Sequence, residues 1–189
     1  MPLANALPTL SILGTGVWLP PAVDTRAYAA SFGADPSGYR GWDHIRVATG
    51  DDDHPGDMGA QSLRQALDES GVDAADLKVV VSVGMSRDYL PSWSLATEAM
   101  KVVGAPSTCL GVDLTIGCLG TLVGLTTVLG WLMQEGGGYG AIVCGERWAY
   151  TIDRSQTELM SLWGHSDGGG ALVVGLATPR ASLGEYQNA

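Results

Sequence analysis

Short apolar runs recur along this chain, and a helix-length segment separates most of them. Thr9–Gly14, Lys78–Gly84 ("KVVVSVG"), Cys109–Leu114, Ala141–Gly145 and Gly169–Leu176 are the runs. In the interior ones the apolar residues are consecutive rather than alternating, which marks strands buried on both faces. Between them, Asp57–Ser70 places Met58, Leu63 and Leu67 on one helical face and stops at Gly71. Pro91 and Ser92 open a helix to about Val103, and Leu119–Gln134 reads as the longest helix. Asp24–Phe32 is a short helix with an Asp cap. Tyr150–Leu162 reads as irregular or partly helical. Strand and helix alternate, and two strands follow close together. The pattern predicts an α/β layered fold: a five-stranded mixed, mostly parallel sheet with helices on both faces. No internal repeat or linker interrupts it.

Charge narrows the partners. The chain has 189 residues and a formal net charge of −10, with Lys78 and Lys101 its only lysines. Such a surface repels phosphate backbones and anionic membranes, so neither nucleic acid nor membrane is expected as a partner. The N-terminal "MPLANALPTLSILG" lacks a basic region and a long apolar core, and no signal peptide is read there. The most apolar window, Leu114–Met133, is interrupted by four Gly and four Thr, so no membrane span is expected and the cytoplasm is the expected location. The acidic stretch Asp51–Asp57 ("DDDHPGD") lacks metal-loop spacing and reads as a solvated loop in which Asp57 caps the next helix; no metal is expected. Arg147 and Arg154, which flank the loop after the fourth run, read as surface or structural pairing residues, with a substrate carboxylate or phosphate as the other possibility.

The three cysteines, 109, 118 and 144, have no CxxC spacing, which argues against a disulfide framework or a zinc site. Cys109 and Cys144 lie inside apolar runs and read as core. Cys118 is different, because "VDLTIGCLGTLVGL" puts it where a strand ends and a long helix begins. The first N–H groups and the dipole of a helix favour an anion there, hence a thiolate. The same groups can steady an oxyanion on a thioester. Gly117 and Gly120 leave room for a substrate to reach the sulfur. The residues alone leave two readings open: an activated nucleophile, and a small core residue at a strand–helix junction.

A resemblance bears on that choice. "DLTIGCLG" is similar to the D-x-x-x-x-C-x-G signature of the thiolase superfamily, in its ketoacyl-ACP synthase III branch. "ILGTGVWLPPAVDT", "MSRDYLPS", "AIVCGERWAYTIDR" and "WGHSDGGGALVVG" resemble further segments of that family, in its order and spacing, over residues 9 to 176. The resemblance implies one half of a thiolase-like fold. Residues 1–189 would be the N-terminal half, bearing the nucleophile, with the C-terminal half absent from this chain. It implies that Cys118 takes an acyl group from a CoA or carrier-protein thioester and holds it as an S-acyl enzyme, with no cofactor beyond that substrate. Asp113 falls at the acidic position before the nucleophile and reads as structural. Leu90 falls where the family crosses its dimer interface to line the partner's acyl pocket. Gly84 and Met85 fall near the pocket floor, and Trp42 and Tyr150 where the thioester arm and adenine are held.

The chain also departs from the pattern. The family's catalytic His, its polar companion and one oxyanion donor belong to the second half, and His44, His54 and His165 do not replace them; His165 reads as a turn residue. A basic run after the early Trp is replaced here by "GWDHIRVATGDDDHPGDM". That change points from simple acetyl-CoA priming toward a divergent natural-product branch. The implied activity is decarboxylative condensation, or ester or amide formation, in lipid or polyketide-type biosynthesis. The implied partners are the C-terminal half, a second copy in a homodimer, and an acyl-CoA or acyl carrier protein. The rival reading is a non-catalytic, ketosynthase-like subunit of a heteromer.

Overall fold

The computed structural model describes residues 9–51, 53–86 and 92–177. In chain order the elements are β1 (Leu10–Trp18), β2 (Ala22–Asp24), α1 (Thr25–Ala30), β3 (His44–Arg46), α2 (Pro55–Ser70), β4 (Leu77–Val83), α3 (Leu95–Val103), β5 (Leu110–Leu114), α4 (Gly120–Gln134), β6 (Gly138–Glu146), α5 (Trp148–Thr151) and β7 (Gly168–Leu176). Single 3-10 turns occupy Gly117–Leu119, just before α4, and two other places, and a longer one spans Thr157–Leu162. Five strands form one sheet in the order β1-β7-β6-β4-β5, while β2 and β3 pair apart from it. β4 is parallel to both β5 and β6; β7 is antiparallel to β6 and to β1. This is the mixed, five-stranded α/β sheet that the apolar runs predicted.

Parallel strands at the centre of a sheet need cover on both faces, and the strand sequences supply it by parity. Val80, Ala141, Val143 and Val173 point to α2 and α3, against Leu63, Ala66, Leu95 and Ala99. Val79, Val81, Val83 and Ile142 point the other way, against Val128 and Leu132 of α4. Each fully buried Val or Leu contributes about 1.5–3 kcal/mol. α2 crosses β1 so closely that a Cβ on Gly16 would lie 1.9 Å from the Ser62 carbonyl oxygen. The outer edge of β1 is also closed by α2: Gln65 accepts the Val17 N–H at 3.1 Å, and Glu69 accepts the Thr15 N–H and hydroxyl. Side chains on an edge strand's donors block further strand addition.

Several boundaries differ from the sequence expectation, each for a local reason. β1 runs four residues past Gly14, to Trp18, because β7 is long enough to pair with it throughout, from Leu10↔Leu176 to Trp18↔Gly169. β6 begins at Gly138, three residues before the apolar run, because Gly138 pairs with β7 and Gly140 with both β4 and β7. α2 opens at Pro55, whose missing N–H would be unpaired at a helix start in any case. Asp57 therefore lies in the first turn and is not the cap; His54 holds that position. α3 starts at Leu95, because Ser94 accepts the Thr97 N–H at 3.1 Å and so ends the preceding loop. Ser94→Ala is expected to cost about 1 kcal/mol, read as a lower urea midpoint at unchanged slope.

α4 covers the middle of its face and leaves much apolar surface open. Gly120, Gly124, Val128 and Leu132 are buried against the sheet. Leu119, Leu122 and Met133 are 60%, 64% and 54% exposed, and Ile12 and Val17 of β1 are also open. The continuous helical segment Gly117–Gln134 is long and apolar enough to cross a bilayer by length and composition, with a mean hydropathy of 1.3. The core helix of a layered sheet meets the same criteria of length and composition. Two of the glycines in α4 serve packing: Gly120 sets the helix down on Val83, and Gly124 on Val83 and Ile142.

Candidate active site

The carboxyl ends of the three parallel strands converge on one rim, the usual place for a site in an open α/β sheet. The turn after β4 carries Gly84, Met85 and Ser86. The turn after β5 carries Gly117 and Cys118. β6 ends on Glu146. At the second of these, Ile116 has φ −124° and ψ 0°, and Gly117 has φ +66°, which reverses the chain from strand into helix. Glycine reaches that left-handed conformation without the penalty a side chain carries. Cys118 is thus exposed in a 3-10 turn that passes directly into α4. The first-turn N–H groups of such a helix lack intrahelical acceptors, so they are available to a thiolate or to the oxyanion of a bound thioester.

Asp113 is engaged in holding strands and helix together. Its Oδ1 accepts the Ser82 hydroxyl and, at 3.1 Å, the Ala96 N–H. It ties β4, β5 and the first turn of α3 together. Cys109 is buried, and burial pushes its thiol up to about 11, which suits inert core.

The structure brings Gly84 and Met85 to the cysteine turn. A Cβ on Gly117 would lie 2.8 Å from the Met85 sulfur. Leu90 lies outside the described residues. Trp42 is 76% exposed and lines a cleft of 580 Å³ with Tyr39, Gly41, Met160, Gly164 and His165. Cys118 is not among the residues lining that cleft. Tyr150 is exposed, with the Arg147 guanidinium 3.7 Å from its ring centre and donating to its hydroxyl at 2.7 Å. His165 sits in a turn, its Nδ1 2.8 Å from the Leu162 carbonyl oxygen and its ring against Trp148. Among the described residues no group of three His, Cys, Asp or Glu side chains could hold a metal ion.

Two groups escaped the sequence reading. Of the two readings open for Arg147 and Arg154, structural pairing holds, with a burial that the sequence did not signal. Arg147 donates to the carbonyl of Gly50 at 3.1 Å, and Arg154 to that of His165 at 2.9 Å. Near both lies Asp167, buried at the start of β7, which accepts the N–H groups of Ala48 and Ala149 at 2.8 and 2.9 Å. Burial, the largest influence, holds its carboxyl above the ordinary value. The second group is Glu146, which accepts the Met85 and Ser86 N–H groups, each at 2.6 Å. The only sequence signal for either was a carboxylate placed directly at a strand end.

The mixed five-stranded sheet and its strand order are those of a thiolase-like fold. The comparisons agree. OleA of Xanthomonas campestris with bound cerulenin superposes with a TM-score of 0.76 at 20% identity, over 92% of this chain and 58% of that one. The priming beta-ketosynthase of the R1128 polyketide biosynthetic pathway gives a TM-score of 0.74 at 25% identity, over 89% and 50%. In sequence, the acetoacetyl CoA synthase NphT7 of Streptomyces sp. strain CL190 is 28% identical over 167 residues, covering 87% of this chain and 49% of that protein. The beta-ketoacyl-acyl-carrier-protein synthase III of Streptomyces lividans is 31% identical over 118 residues, covering 62% and 34%. No protein-family model matches the chain. In fold the chain is thiolase-like, and the proteins it is similar to in sequence are ketoacyl synthase III-like enzymes. It spans about half the length, or less, of these curated relatives.

Proposed function

We propose that this chain carries the nucleophile of a ketoacyl synthase III-like acyltransferase. Cys118 attacks the carbonyl of an acyl thioester; the carbon–sulfur bond to CoA or phosphopantetheine breaks, that thiol leaves, and the acyl group stays on the cysteine. An acceptor then takes it. A malonyl-type thioester gives a new carbon–carbon bond with loss of carbon dioxide; a hydroxyl or amine gives an ester or amide. The observation that carries the reading is the position of Cys118: exposed, at the carboxyl end of a parallel strand, behind a left-handed glycine and at the start of a long helix.

A second half of the fold would supply the general acid–base groups. Its presence in the assembled enzyme is supported by the length of the relatives and by the exposed apolar side chains of α4 and β1. A homodimer of the assembled unit fits β5, which lies at the sheet edge with one strand neighbour among the described residues. Native mass spectrometry with and without an acyl thioester tests all of this. A companion polypeptide of similar size, with an acyl group on Cys118, supports the reading. A protein that never acylates refutes it and leaves a non-catalytic subunit.

A further inference from the structure

The rim of the sheet contains a clamp that the acyl-transfer reading does not use. Both oxygens of Glu146 are committed. Oε1 accepts the N–H of Met85 and Oε2 that of Ser86, each at 2.6 Å. Ser86 is buried, and its hydroxyl accepts the Arg147 N–H at 2.6 Å, so the turn is tied to the end of β6 at three points. Gly84 enters the turn at φ +137°, and a Cβ there would lie 2.6 Å from the same Oε1. The carboxylate thus fills the space beside the turn and fixes its backbone. What the turn presents is the Met85 side chain. Its sulfur meets Gly117, the residue bonded to Cys118, while half of the side chain remains exposed. A methionine is unbranched and adaptable, so only a fixed backbone gives it a definite position.

We propose that Glu146 is a positioning residue that sets acyl-chain selectivity at Cys118. It holds Met85 against the Cys118 turn, and the thioether limits the space for an acyl chain on the sulfur. A carboxylate suits this task because it can accept from two consecutive N–H groups at once. A Gln amide can accept from one and turns an NH2 group toward the other. This assignment rests on the reading of Cys118 as the acyl acceptor.

The test measures Cys118 acylation by intact mass in the full-length protein, with acetyl-CoA and octanoyl-CoA as probes. Wild type, Glu146→Gln, Glu146→Asp, Met85→Ala and the Met85→Ala/Glu146→Gln double variant are compared. Glu146→Gln is expected to raise the octanoyl-to-acetyl rate ratio about tenfold, the size of effect that a small change of pocket volume gives. Met85→Ala should shift the ratio the same way, and the double variant should add nothing further, because both changes act through one side chain. Glu146→Asp should recover part of the wild-type ratio. An unchanged ratio in Glu146→Gln, with only a lower rate or melting temperature, overturns the assignment and leaves Glu146 a structural tie. Additive shifts in the double variant overturn it as well. A wild type that takes neither acyl group fails at an earlier point: it overturns the reading of Cys118 itself, and this assignment with it.

Discussion

Cys118→Ala is expected to remove acyl transfer while leaving the fold intact. The side chain is exposed, and substitutions at such positions usually change stability by less than about 0.5 kcal/mol. Activity responds differently, because the proposed mechanism holds the acyl group on this sulfur. Cys109 is buried with its thiol pushed up to about 11, which keeps it protonated and unreactive at neutral pH. Turnover should fall to below about one part in a thousand of wild type, as it does when a covalent nucleophile is deleted. The acyl-enzyme mass shift should vanish. Equal melting temperatures for the two proteins separate lost chemistry from lost structure. Full activity in Cys118→Ala, in the assembled protein, would refute the mechanism.

Asp167→Ala should be the most damaging of the predicted changes for stability. The carboxylate joins three segments that are far apart in sequence: the stretch after β3 through Ala48, the start of α5 through Ala149, and β7 through its own backbone, which donates to the Arg46 carbonyl at 2.9 Å. Removing it strands one buried and one partly buried N–H group and withdraws the negative charge near two buried guanidinium groups. The expected cost is about 3–5 kcal/mol, a large share of a domain's total stability. The effect also depends on pH. Because burial raises the folded-state value above the ordinary 3.8, the native protein keeps this proton over a range in which the unfolded chain has lost it. The contribution is fully present below 3.8 and declines as pH rises through the raised folded value. Asp167→Asn cannot titrate, so the stability difference between wild type and variant should shrink across that window as pH increases. Asp35, Asp43, Glu69 and Asp153, whose carboxyls are held low by hydrogen bonds, give the opposite slope in both proteins and cancel. Urea titrations at a series of pH values would show this, and a constant difference would contradict it.

The sequence by itself determined the layered architecture and the place of the candidate nucleophile. Uninterrupted apolar runs of strand length have few ways to be buried other than in a sheet covered on both sides. A strand running through Gly117 into a long helix has few places to put Cys118 other than the sheet rim. Both signals are local in sequence. Tertiary structure decided the rest. β1 outran its expected end because β7 was there to pair with it, and Gly138 and Gly140 became strand for the same reason. Arg147 and Arg154 are charged residues for which the sequence left surface exposure and structural pairing open; burial beside Asp167, Tyr150 and distant carbonyls decides for structural pairing. Glu146 and Met85 are 61 residues apart, yet they join at the rim because β4 and β6 are neighbours in the sheet. Contacts of that kind leave no period or motif in the chain. They arise from which strands lie side by side, and this is settled by the packing of the whole fold.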